Sequence, residues 1–361
     1  MEICYTDGGI LNFEGGFFMS NQLLLGTYTR RVSDGIYSVD LNTETQKLEN
    51  VSLLAKVGSP TYLDTNEDKS IIFSVINEDD QGGVVSLVKQ DDGSYSRQDK
   101  VVAEGAAPCY VAYDSDRDFV YTANYHDGEI SVYKTDEKGT LELTDTVAHS
   151  GSSVHENQDA PHAHYSNLTP DGKFMVACDL GTDKVYTYAV DDDGQLTEVA
   201  QIDVAPGTGP RHLVFHPTLD LAYVFGELSS DVVVLAYDAE SGEFSIEQTI
   251  STIPADHTSF NGGAAIRISS DGNFLYASNR GHDSIVTYSI DDDGKLALVN
   301  YTPTEGETPR DFNLDPSEQY MIVGHQDTDN LTLFERDADE GTLSLLQKDV
   351  EAPEVVCVAH G

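Results

Sequence analysis

Short apolar runs, rich in aromatic and β-branched residues, recur along this chain between polar stretches studded with Asp and Gly. Seven of them share one pattern: QLLLGTYT (22–29), IIFSVINE (71–78), FVYTANYH (119–126), FMVACDLG (174–181), LAYVFGEL (221–228), FLYASNRG (274–281) and YMIVGHQD (320–327). Their starts lie 49, 48, 55, 47, 53 and 46 residues apart. Length and residue type predict a β-strand for each. A second strand follows every run, as in GIYSVDL, KVYTYAV and SIVTYSI, then a turn rich in Asp and Gly and a third strand such as GQLTEVA or GTLSLLQ. Asp and Gly supply the positive φ that hairpin turns require. Ahead of most runs stands one more strand opened by Pro or Gly: SPTYLDT, APCYVAY, GPRHLVF, TPRDFNL.

Four antiparallel strands in each of seven repeats at this period predict an all-β fold, a seven-bladed β-propeller of four-stranded blades. Period-2 patterning and the lack of a long helical stretch exclude a helical solenoid. The ends are out of phase with the repeat. The first repeat begins at its second strand, and APEVVCVAH (352–360) is an orphan first strand. Pairing residues 354–358 with the blade that holds 22–28 closes the ring and covers a sheet edge. Residues 19–361 are therefore expected to form a single domain. Residues 1–18 have no counterpart in the repeat and are expected to lie outside it.

In a propeller the first strand of each blade lines the central channel, and the second strand returns to the same rim. Ten residues before each run stand Thr61, Cys109, His164, Arg211, Ala264 and Arg310, with Glu354 in the closing blade. Seven residues into the runs stand Tyr28, Asn77, Tyr125, Leu180, Glu227, Arg280 and Gln326. These two sets should ring one wet mouth, with Arg211 beside Glu227. The two longest gaps carry VHENQDAPHAH (154–164) and PADHTSFNGG (254–263), and long loops at one rim are usual binding elements.

The charge balance sharpens that picture. The chain has 63 Asp and Glu against 20 Lys and Arg, a formal net charge of −43. Such a polyanion is a poor partner for nucleic acid or an anionic membrane. Arginines gathered at one rim therefore stand out, although Arg211–Glu227 also reads as a plain surface ion pair. The runs DDDG at 191–194 and 291–294 lack EF-hand spacing. His155, His162 and His164 match no zinc pattern, so no metal is expected. Cys4, Cys109, Cys178 and Cys357 form no C-x-x-C pair. Neither a signal peptide nor a membrane span is evident, and the expected location is cytoplasmic.

The stretches LLLGTYTR (23–30), HAHYSNLTPDGKFMVACDLGTDKVYTY (162–188), GPRHLVFHP (209–217), YVFGEL (223–228), ASNRGHDSI (277–285) and TPRDFNLDPSEQYMIVGHQDTDNLTLFERD (308–337) resemble the seven-bladed propeller lactonase family. The resemblance covers roughly residues 20–360. It implies that His164, Arg211, Glu227 and Arg280 are catalytic, the same four that the rim positions single out. It further implies hydrolysis of a small phosphorylated sugar lactone, 6-phosphoglucono-1,5-lactone, without a cofactor. In that reading His164 or Glu227 serves as base, Arg211 meets the oxyanion, and Arg280 and Arg310 hold the phosphate. His162, His212, Arg310 and Gln326 are the expected substrate-binding residues. No G-x-S-x-G motif is present, which favours direct attack by water. The rival readings are a cycloisomerase acting on a muconate-like dicarboxylate and a non-catalytic interaction scaffold.

Overall fold

A computed structural model describes residues 21–361 in full. The expectation about residues 1–18 falls outside them. Within these residues the chain forms seven four-stranded antiparallel sheets arranged as a ring, a seven-bladed β-propeller. Six blades use consecutive strands. The seventh takes its innermost strand, Val355–His360, from the C-terminus and pairs it antiparallel with Asn21–Thr27, setting Val355 opposite Thr27 and His360 opposite Leu23. Ring closure is thus the one the sequence predicts. The closing strand buries Val355, Val356, Cys357 and Val358, so it joins the core as well as the hydrogen-bond ladder.

Each blade buries its second strand completely or nearly so; Leu221–Gly226 and Tyr320–His325 are buried at every position. The outermost strands alternate exposed and half-buried residues, as in Leu196–Asp203. This gradient explains the composition of the repeat. A strand covered by neighbouring strands and neighbouring blades reads as a continuous apolar run, and an outer strand reads as alternation.

The acidic turns have a structural role in joining the blades. In DDDG at 191–194, Asp191 Oδ1 accepts the backbone N–H of Asp193 and Gln195, and Gly194 takes a φ of 78°. The glycine carbonyl then accepts a hydrogen bond from Thr144 Oγ1 of the preceding blade at 3.2 Å. The same latch recurs between Thr187 and Gly242 at 2.9 Å, Tyr223 and Gly294 at 3.0 Å, and Tyr276 and Gly341 at 2.9 Å. A side chain at Gly294 would lie 1.9 Å from a Leu221 methyl carbon. Only glycine satisfies both the φ and the close approach.

Candidate active site

The first-strand and second-strand ends of the blades meet at one end of the channel around a cavity of about 530 Å³. Its wall includes Tyr28, Thr61, Asn77, Cys109, Tyr125, His164, Glu227, Arg280 and Arg310, all of them rim positions legible in the sequence. Four of the eight candidate site residues therefore share this wall: His164, Glu227, Arg280 and Arg310. The other four stand elsewhere.

Arg211 lies behind the wall. It is only 3% exposed, which corrects the expectation of a wet rim. Its Nε is 3.0 Å from Glu227 Oε2, and its Nη1 donates to the Ala264 carbonyl at 2.8 Å. The Nε–H finds no aligned acceptor, so the contact with Glu227 is an ion pair and not a directed hydrogen bond. Arg280 approaches the same carboxylate oxygen from the next blade, Nη2 to Oε2 at 2.9 Å, and donates to the Gly263 carbonyl at 2.8 Å. The sequence GGAA at 262–265 makes this crowding feasible. A side chain at Gly262 would come within 3.2 Å of Arg280 Nη2, and one at Gly263 within 2.7 Å of the Gly226 carbonyl.

His212 is one residue farther along its strand, a step of about 3.3 Å down the channel. It lines a second cavity together with Tyr62, Tyr110 and Tyr165. Its expected substrate contact is therefore displaced from the cavity that holds His164 and Glu227. His162 packs behind the wall, stacked on Tyr125 at 4.3 Å, with Nδ1 2.7 Å from the Tyr125 carbonyl. Gln326 touches the site through Arg310, whose Nη1 donates to Gln326 Oε1 at 3.3 Å. Of the long segments 154–164 and 254–263, only His164 reaches the wall. They fold onto their own blades instead: Gln158 Nε2 donates to the Leu180 carbonyl, and Asn261 Nδ2 to Ser230 Oγ and Asn279 Oδ1. Shorter segments at 28–30, 59–61, 106–109 and 125–126 form the wall.

The electrostatics follow from burial and three close cations. Burial raises the Glu227 carboxyl, but Arg280, Arg211 and Arg310 outweigh it and hold the group below its ordinary value. Both arginine contacts are shortest to Oε2, and Oε1 accepts no hydrogen bond from the described residues. Burial, reinforced by Arg211 and Arg310, pushes the His164 imidazole well below its usual value, so it is neutral at pH 7. Its Nδ1 is buried without a hydrogen-bond partner among the described residues. Arg211 itself is pulled down to about 10, by burial and then by repulsion from Arg310 and Arg280. Burial pushes the Cys109 thiol up to about 12, which keeps it protonated and unsuited to nucleophilic attack. Among the described residues no group of three or more His, Cys, Asp or Glu is arranged to hold a metal ion.

Sequence reasoning missed Ser59, Ala106, Ala107, Pro108 and His126 among the wall residues, and with them the charged Arg30. It lies two residues past the rim position of Tyr28, within LLLGTYTR, and the regular spacing does not reach it.

The ring of seven blades thus gathers arginines, a histidine and a carboxylate at one mouth. The family described as "Lactonase, 7-bladed beta-propeller" matches residues 22–360, and the chain belongs to it. It is a lactonase, a carboxylic ester hydrolase. It is 44% identical over 337 residues to the 6-phosphogluconolactonase of Bacillus subtilis, covering 92% of this chain and 96% of that one. A crystal structure of a protein from Lactobacillus plantarum superimposes with a TM-score of 0.92 at 48% identity, covering 94% of this chain and 99% of the other. The periplasmic gluconolactonase of Pseudomonas aeruginosa superimposes with a TM-score of 0.88 at 29% identity, covering 93% and 98%. Among the described residues no helix is long and apolar enough to cross a membrane.

Proposed function

We propose that this lactonase hydrolyses 6-phosphoglucono-1,5-lactone to 6-phosphogluconate. The observation that carries the proposal is the sign of the cavity: in a chain of net charge −43, its wall holds Arg30, Arg280 and Arg310 against one carboxylate, Glu227. A cationic recess in a polyanionic surface selects an anionic small molecule. The name of the Bacillus subtilis relative supports the phosphorylated substrate.

The reaction needs a base for water and a donor for the oxygen of the tetrahedral intermediate. Glu227 is ionised at neutral pH, and its Oε1 accepts no hydrogen bond from the described residues, so it takes the base role. Water adds to the lactone carbonyl as its proton passes to Oε1. The bond to the ring oxygen then breaks, and the same proton goes to that oxygen, which becomes a hydroxyl. Arg280, on the wall, stabilises the developing oxyanion. Arg211, behind it, acts through Glu227 by fixing the carboxylate and its charge. The uncommitted side chains of Thr61 and Asn77 receive sugar hydroxyls, and Gln326 steadies Arg310. His164, neutral and against the cavity, orders the substrate ring, while His162 holds Tyr125 in place. The free thiols of Cys109, Cys178 and Cys357 support a reducing compartment, in keeping with a cytoplasmic reaction.

The test is Glu227→Gln in a coupled assay that scores lactone loss above spontaneous hydrolysis. Turnover is expected to fall by about 10²–10⁴ with KM changed little, the range for a lost general base. Wild-type turnover in the variant would remove Glu227 from the chemistry.

A further inference from the structure

The chain has nine arginines, all within the described residues. Seven of them have a carboxylate oxygen within ion-pair distance. Among the described residues, the two without one are Arg30 and Arg310. With 63 acidic residues available, random placement would seldom leave an arginine unpaired. Yet these two stand in the same cavity and beside the same ring. The Arg30 guanidinium lies 3.8 Å from the Tyr28 ring centroid, and that of Arg310 lies 5.8 Å from it. The Arg30 side chain donates no hydrogen bond to the described residues, and Arg310 donates only to Gln326 Oε1. Their remaining donors have no partner among the described residues and suit a ligand. Arg280, by contrast, has its Nη2 engaged by Glu227 and the Gly263 carbonyl and faces the reacting carbonyl.

Arg30 is held there by an unusual anchor. The Glu354 carboxylate, from a residue 2% exposed, accepts the backbone N–H groups of Arg30, Arg31, Val32 and Ser33 at 2.9–3.2 Å. Burial raises this carboxyl, but the four N–H groups outweigh it and keep it below its ordinary value. Glu354 is fixed in turn, its N–H donating to Asp329 Oδ1 at 2.8 Å. The four N–H groups and the Arg31 guanidinium, 3.5 Å from Oε1, compensate the buried charge and fix the shape of the loop that carries Arg30.

We infer that Tyr28, Arg30 and Arg310 form the subsite for the substrate's phosphate, with Glu354 the positioning residue that sets Arg30. Forked guanidinium donors suit phosphate oxygens, and stacking on Tyr28 pre-orders them at low entropic cost. The inference rests on the proposal of a phosphorylated lactone. It moves the phosphate contact from Arg280, which stays at the reacting carbonyl, to Arg30.

The experiment compares kcat/KM on 6-phosphogluconolactone and on glucono-1,5-lactone for wild type, Arg30→Gln and Glu354→Gln. Arg30→Gln is expected to raise KM for the phosphorylated lactone by about 10- to 100-fold, the equivalent of one charge-assisted contact. The loss on the unphosphorylated lactone should be far smaller, so the ratio of the two collapses. Because Arg30 is exposed, its melting temperature serves as the folding control. Glu354→Gln, if folded, should lower the same ratio, which a purely structural role would leave alone. A wild type that prefers the phosphorylated lactone while Arg30→Gln keeps that preference overturns this inference alone. A wild type with no preference overturns the phosphorylated substrate itself.

Discussion

Replacing Arg211 by Met separates function from stability, because the structure gives the two effects opposite signs. Arg211 is 3% exposed and sits near two other guanidinium groups, and its own group falls from an ordinary 12.5 to about 10. Each tenfold in that proton equilibrium is about 1.4 kcal/mol, so burying this cation costs the folded state about 3 kcal/mol at neutral pH, Glu227 included. Met fills a similar length without charge and relieves that cost. Against the gain stands the Ala264 carbonyl, which loses its Nη1 donor, a penalty of about 1–3 kcal/mol. The net change is about 0–2 kcal/mol in favour of the variant. At an unfolding entropy near 2.1 cal/mol/K per residue, residues 21–361 give roughly 0.7 kcal/mol/K, so melting should rise by at most about 3 °C. Turnover should nevertheless fall by about 10²–10³, because Glu227 loses one of the cations that fix its carboxylate and hold it ionised, which impairs the general base. The assays are calorimetry and coupled lactone hydrolysis on the same preparation. A melting temperature lowered by more than about 5 °C, or turnover within threefold of wild type, would show Arg211 to be a structural brace and refute the reasoning.

Three further outcomes follow from the same geometry. Activity should persist as pH falls through 6.5 and be lost only in or below the carboxylate range of about 4.3, because Glu227 is held low and His164 is already neutral; a pH–rate limb near 6.5 would assign the base to a histidine. Stability should behave differently: His164 and His212 stay neutral when folded but take up protons when unfolded, so melting should decline as pH falls below about 6.5, before activity does. Deleting residues 352–361 removes the closing strand and the Glu354 anchor together, and should abolish cooperative unfolding; a truncated chain with unchanged melting would contradict closure by Val355–His360.

How far the sequence reached depended on whether a feature repeats. The run that opens each repeat lies on a strand covered on both faces, and its end returns to the rim at a fixed offset. Tyr28, Asn77, Tyr125, Glu227 and Arg280 were therefore legible as wall residues from spacing alone. Depth was not legible. Arg211 and His212 follow a Gly-Pro turn in adjacent positions, yet one stands behind the wall and the other lines a different cavity. A side chain's reach depends on what the neighbouring blade offers, here the Ala264 carbonyl and the space left by Gly262 and Gly263. Arg30 escaped notice because it belongs to a loop whose shape is dictated by Glu354, more than 320 residues away in sequence. Glu354 itself holds a rim position by spacing, but its carboxylate turns to backbone N–H groups instead of the cavity. Loop length also misled, since Gln158 and Asn261 tie the two longest connections to their own blades.

The central claim is that a cationic cavity in an acidic propeller lactonase takes a phosphorylated sugar lactone. The most direct measurement is the wild-type ratio of kcat/KM for 6-phosphogluconolactone to that for glucono-1,5-lactone, corrected for spontaneous hydrolysis and taken at two salt concentrations. Two forked arginine contacts predict a preference of at least about 10- to 100-fold for the phosphorylated lactone, weakening as salt screens the charge. Equal rates on both substrates, or a preference for the unphosphorylated one, would contradict the account.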